Sequence, residues 1–310
     1  MTLMKNARQT GAPRRSDSPR RRVAVSPRRL LLALLLLAAP AFAQETTRRL
    51  WDSDLFKTQS KKTAPAKRRY RVATPQISPE KVDGDSVLGI TLWRLRPART
   101  TDDKAVRLLK HARDNARNSE WVPERIDTGT PLTAGQRLRL SIESARDGYL
   151  YVVDRELYAD GSMGEPYLIF PTLSIRRGDN RVAVGKVFDI PNDETYFILE
   201  PSRADQVGEV LTVIVSPQPL DGFQIGEQEV PISRALLASW EKSWGAQIGR
   251  LDLEAAAGQP WTKAERDAAA NKRRLPADGP PPQSVFYRAE TKPDDPLLAN
   301  VKLRYGAPRK

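Results

Sequence analysis

The stretch Arg137–Asp154, RLRLSIESARDGYLYVVD, decides the fold class of this chain. Leu138, Leu140 and Ile142 alternate with Arg137, Arg139, Ser141 and Glu143. That period of two predicts a strand with one buried and one wet face. Asp147-Gly148 follows, a pair that tolerates positive φ, and predicts a tight hairpin turn. Tyr149–Asp154 (YLYVVD) is apolar on both faces, which predicts a strand central in its sheet.

Working outward, the same signal recurs. Val87–Arg96 (VLGITLWRLR) predicts a strand ending before Pro97, and Tyr167–Pro171 (YLIFP) predicts another after a second Asp-Gly pair, Asp160-Gly161. Further strands are expected at Arg181–Ile190, Tyr196–Glu200 and Glu209–Val215, the last with an LTVIV core rich in β-branched residues. Short strands punctuated by Gly, Asp and Pro, with no helix of crossover length between them, predict a β-sandwich rather than a parallel α/β sheet. Thr101–Asn118 is densely charged and compatible with a helix or with a strand flanked by long loops.

Beyond Pro217 the pattern changes. Pro231 suits a first helical turn, and Ile232, Leu236, Trp240, Trp244 and Ile248 recur at every fourth position, which predicts an amphipathic helix. Its stripe has two uses: to lie on the sandwich, or to dock a partner through Leu236, Trp240 and Trp244. Thr262 and Glu265 match a capping box, and Ser284–Ala289 and Leu297–Tyr305 predict strands returning to the sheets. The expected architecture is mainly β: a β-sandwich-like domain at residues 86–217, with a C-terminal amphipathic helix and returning strands at 218–310 packed on the same domain.

The N-terminal region predicts a compartment. Leu30–Ala43 (LLLALLLLAAPAFA) follows an arginine-rich leader and ends with small residues at Ala41 and Ala43. It is shorter than the roughly 20 residues a spanning helix needs. A signal peptide over 1–43, cleaved so that Gln44 leads the mature chain, is therefore expected, with a retained anchor as the alternative. Cleavage leaves no transmembrane segment and predicts a periplasmic or secreted protein.

The net charge of +13 does not belong to the body: residues 76–310 sum to −1, while 1–43 carry nine Lys/Arg against one Asp. A neutral body argues against nucleic acid as a partner. Residues 44–80 read as a basic linker, either a spacer or an arm attracted to anionic envelope polymers. With no cysteine in the chain, stability rests on burial rather than on disulfides.

Chemical motifs are sparse. The single histidine, His111, sits in a basic stretch without a nucleophile elbow, and one His with no Cys leaves no ordinary zinc ligand set. Asp154, Glu156 and Asp160-Gly161 form an acidic run whose spacing does not fit a calcium loop and reads as hairpin-turn acids. No cofactor is implied. Trp93 and Leu95 share a strand face and read as core; Trp121 reads as the tryptophan most available to solvent.

The succession RLRLSIES, then DGYLYVVD, YLIFP and NRV through to Ile190-Pro191 resembles the bacterial secreted family called domain of unknown function 4384, over roughly residues 130–216. The resemblance implies a β-sandwich-like, envelope-associated accessory module and brings no catalytic residues. The expectation is a non-enzymatic binding or accessory protein whose partner is an envelope protein or a cell-wall polymer. Its candidate surface is Asp147–Pro171, where Tyr149, Tyr151, Tyr158 and Tyr167 gather, together with Trp121. The alternatives are a hydrolase acting on envelope glycans and a structural subunit of an envelope assembly.

Overall fold

The computed structural model describes residues 86–108, 120–126, 129–192, 195–245, 248–252, 257–270, 274–275, 279–288 and 294–306. The expected signal segment with Ala41, Ala43 and Gln44, the 44–80 arm and His111 lie outside the described residues.

Described in chain order, the strands are β1 (Val87–Pro97), β2 (Trp121–Arg125), β3 (Arg137–Ser144), β4 (Gly148–Tyr158), β5 (Tyr167–Phe170), β6 (Arg181–Val182) and β7 (Val187–Ile190). They continue with β8 (Phe197–Ile198), β9 (Gln206–Ser216), β10 (Val230–Pro231), β11 (Ile248–Asp252), β12 (Ser284–Arg288) and β13 (Leu297–Arg304). Among the described residues there are also two α-helices, α1 (Arg234–Trp244) and α2 (Lys263–Ala269), and two 3-10 turns, Lys104–Val106 and Arg176–Gly178. One sheet runs β11-β12-β1-β3-β7 with β2 beside β1 and β8 beside β3; the other runs β10-β5-β4-β9-β13 with β6 beside β4. The strand ladders are antiparallel, and the fold is mainly β and sandwich-like, with a C-terminal amphipathic helix and returning strands.

The core between the sheets is the alternate-residue set that the sequence pattern exposes. Leu88, Ile90 and Leu92 of β1 and Leu138, Leu140 and Ile142 of β3 face Leu150 and Val152 of β4 and Leu211, Val213 and Val215 of β9. Each contributes about 1.5–3 kcal/mol on leaving water. The C-terminal strands enter both sheets: β12 pairs β1, and β13 pairs β9 along its whole length.

Both outer faces are also covered. Helix α1 lies on the second sheet, where Leu237 and Trp240 join Tyr151, Val153, Leu168, Ile214 and Leu298 in a second cluster. Ser233 caps it, its Oγ accepting from the Leu236 N–H at 3.0 Å. Pro231 therefore belongs to β10 rather than to the first helical turn, and the helix stops at Trp244, so Ile248 opens β11 instead of extending the stripe. On the first sheet Trp93, Leu95 and Val122 pack under Trp261 and Ala269. The Thr262–Glu265 capping box that opens α2 is present with both of its hydrogen bonds.

Three local expectations are corrected. The face of β3 carrying Arg139 and Ser141 is not wet: Arg139 is 0% exposed, because Trp261 and α2 cover it. Asp147-Gly148 does not form a hairpin, since β3 and β4 belong to different sheets. The pair carries the chain across the sandwich, and glycine is required by close approach: a Cβ at Gly148 would stand 2.5 Å from the Ser216 carbonyl oxygen. Arg181–Ile190 is two strands, β6 and β7, split between the sheets at a turn where Gly185 has φ 72° and the Lys186 N–H donates to Ala183 O. Asp147 ties the two crossings together, its Oδ1 accepting from the Val184 N–H at 2.9 Å.

Candidate pocket between the sheets

On β4 the inward positions run Leu150, Val152, Asp154, Glu156, and on β9 they run Val215, Val213, Leu211, Glu209. Both series therefore begin apolar and end in carboxylates while keeping the same face. In register, Asp154 stands opposite Leu211, and Glu156 stands directly opposite Glu209. Like charges facing each other across a strand pair are destabilising. Acids at core-facing positions break the pattern that folds the rest of the sandwich.

At this end the sheets part around a cavity of about 210 Å³. Asp154, Glu156, Glu209, Leu211 and Leu303 supply one wall; Leu138, Leu140, Phe197 and Leu199 supply the facing wall. Ile198, 45% exposed, and the exposed Glu200 form the lip. No lysine or arginine is among the lining residues.

Each carboxylate has a distinct setting. Asp154 Oδ1 is buried and has no hydrogen-bond partner among the described residues. Burial, reinforced by the charge of Glu209, pushes the Asp154 carboxyl well above its ordinary range. Glu209 is also pushed up, mainly by burial, while the hydroxyl that Tyr305 donates to it opposes the shift. Tyr305 is driven upward in turn by burial and by the Glu209 charge, so it remains a donor. Glu156 accepts from the Tyr158 hydroxyl, an arrangement that raises the Tyr158 pKa. Gln206 holds the rim: its Oε1 accepts from the Ser202 N–H at 2.8 Å, and its Nε2 approaches Tyr305 Oη at 3.5 Å.

The nearby cations are engaged elsewhere. Arg155 forms an ion pair with Glu241 of α1. Arg203 stacks on the Tyr158 ring at 4.1 Å and pairs with Asp205 at 2.7 Å.

The tyrosines singled out from sequence do not form one surface. Tyr151 is 3% exposed under α1, edge-on to Phe223, with its hydroxyl accepting from the Leu220 N–H. Tyr149 is partly buried against the same cluster. Tyr158 is also buried but reaches the pocket rim through Glu156, whereas Tyr167, the register partner of Asp154, is 42% exposed. Trp121 is partly buried, with the Arg137 guanidinium 4.2 Å from its ring centroid. Leu236, Trp240 and Trp244 are turned to the second sheet, and Trp240 and Trp244 stack at 5.6 Å, so this stripe is cover for β4, β5 and β9 rather than a free docking face.

Sequence reasoning noted Asp154 and Glu156 as turn acids and missed Glu209, Tyr305, Gln206 and the apolar wall. The available signal was the interrupted inward face of β4 and β9. Among the described residues no helix is long and apolar enough to cross a membrane. No family model matches the chain, and comparison with curated proteins and with solved structures finds no similar protein.

Proposed function

We propose that this is an exported envelope protein acting as a non-enzymatic binding or accessory module, and that the pocket between the sheets is its binding site. The observation that carries the reading is the cavity itself: an apolar wall facing an acidic one, open at one end of the sandwich. Binding sites are concave and mostly apolar, with a few placed polar groups that orient the ligand. The export signal expected at residues 1–43 and the resemblance over 130–216 support the envelope setting.

A glycan hydrolase is the second reading, because an acid with a raised pKa stands beside other carboxyls. Such enzymes flank the scissile bond with their two carboxyls. Here Asp154, Glu156 and Glu209 share one wall, and the facing wall offers Leu138, Leu140, Phe197 and Leu199 with Glu200 at the lip.

One experiment separates the two. A photoreactive residue replacing Ile198 at the lip, compared with one replacing the exposed Val184, is irradiated in intact cells. An adduct formed from the lip alone supports the binding site; equal adducts from both positions, or none, overturn it. Release of new reducing ends from isolated cell wall, abolished by Glu209→Gln, would establish the hydrolase instead.

A further inference from the structure

We infer that the pocket receives the cationic end of its ligand, a primary ammonium or guanidinium carried on a short apolar stem, with Asp154, Glu156 and Glu209 taking the charge. This rests on the pocket being the binding site and adds the chemical class of what enters it.

Three observations converge. The first is charge: Asp154, Glu156 and Glu209 stand in the wall and Glu200 at the lip, and none of the lining residues is basic. The second is Asp154, a residue of the cavity wall whose Oδ1 has no hydrogen-bond partner among the described residues. A buried acceptor without a donor is costly, and a charged donor is the partner that best repays its desolvation. The third is shape. Leu138, Leu140, Phe197 and Leu199 offer an aliphatic and aromatic face that suits methylenes but not a hydrated ion. At about 210 Å³ the cavity has room for a short stem.

The upward shifts of Asp154 and Glu209 make uptake compete with protons. The titratable groups around Asp154 are Arg155, Glu156 and Tyr158 on its own strand, Tyr167 on β5, Glu209 on β9, Tyr305 after β13 and Glu200 after β8. Arg155 is held outward by Glu241, so the balance in the cavity is negative once the carboxyls ionise. Cation affinity therefore rises with pH above the ordinary carboxylate range.

The test titrates the purified full chain at pH 8 with n-hexylammonium, 1-hexanol, hexanoate and calcium chloride, reading heats and methyl chemical shifts of Leu138 and Leu140. The expected result is that hexylammonium binds at least tenfold more tightly than hexanol, that hexanoate does not bind, and that Asp154→Asn abolishes the preference. Asp154→Asn must show a cooperative melt; Glu156→Gln, at the wetter side of the cavity, serves as the second variant and is expected to weaken hexylammonium several-fold. Equal binding of hexanol and hexylammonium leaves the pocket in place and overturns the cation. No hexylammonium binding with the Ile198 adduct intact has the same meaning; loss of both removes the pocket reading as well. Calcium bound more tightly than hexylammonium, and lost in Asp154→Asn, overturns the organic cation in favour of a metal.

Discussion

On the outer face of the first sheet Asp189 meets Arg139 at 2.8 Å with both side chains fully buried, whereas between the sheets Asp154, Glu156 and Glu209 share a cavity whose lining holds no base. The first arrangement carries its own cation. Asp189 also accepts from Ser141 Oγ, which in turn accepts from Trp93 Nε1 at 2.7 Å, and the Arg139 guanidinium lies 5.0 Å from the Trp261 ring centroid. Arg125 repeats the device on β2, on the far side of β1, pairing with Glu265 and stacking on Trp93 at 5.0 Å. Where a sheet buries charge for structure, a cation of the chain and an aromatic lid complete it. The inter-sheet acids lack the cation, and that difference separates a structural network from a site with room for a guest.

Breaking the closed network carries the largest expected effect. Removing one partner of a buried pair costs about 3–5 kcal/mol, because the other charge is stranded. Asp189→Ala is expected to lower stability by about that much in urea unfolding. The double change Arg139→Met with Asp189→Leu is expected to recover most of it, since apolar residues of similar size can replace a buried pair. A loss below about 1 kcal/mol for Asp189→Ala would erase the distinction between the two regions. Trp261→Ala comes next, at about 3 kcal/mol, as it removes a fully buried side chain and opens the lid over Arg139.

The open cluster predicts the opposite sign. Asp154→Asn replaces an ill-matched carboxylate with a neutral amide and is expected to stabilise the unliganded protein by about 1–2 kcal/mol near neutral pH. In a domain of this size that is a rise of roughly 2–8 °C in Tm. The pH dependence follows from the direction of the shift. The folded-state pKa of Asp154 lies above its ordinary 3.8, so the fold holds the proton that the unfolded chain releases. Stability from this group is greatest below 3.8 and falls as pH rises through the raised value. The Tm difference between Asp154→Asn and the parent is therefore expected to grow between pH 4 and pH 8, as scanning calorimetry would show. A difference that is constant with pH would mean that Asp154 is already compensated.

How much of this was legible in the sequence depends on the range of the interactions involved. Leu138, Leu140 and Ile142 declare the inward face of β3 by themselves, and Thr262 with Glu265 declares a helix start, because a few consecutive residues suffice. Arg139 misleads for the opposite reason: its partner Asp189 and its lid Trp261 are remote in the chain, so alternation alone assigns it to water. The same holds for Asp147-Gly148, whose composition fits a hairpin until the strand pairing places β3 and β4 in different sheets. Asp154 and Glu156 sat in an acidic run that local spacing attributes to a turn. Only the register with β9 brings Glu209 beside them, and only the position of β13 adds Tyr305.

Tyr305→Phe gives the smallest and most discriminating effect. It keeps the ring and removes the hydroxyl that donates to Glu209, at a cost of about 1 kcal/mol in stability. That hydrogen bond is what opposes the upward shift of Glu209, so its loss pushes the carboxyl higher still. Hexylammonium affinity in Tyr305→Phe is then expected to fall several-fold at pH 6, where protons compete, and to return toward the parent value at pH 8. A loss of equal size at both pH values would show that the hydroxyl shapes the wall and does not tune the charge. The open cluster would then resemble the closed network in being built for packing.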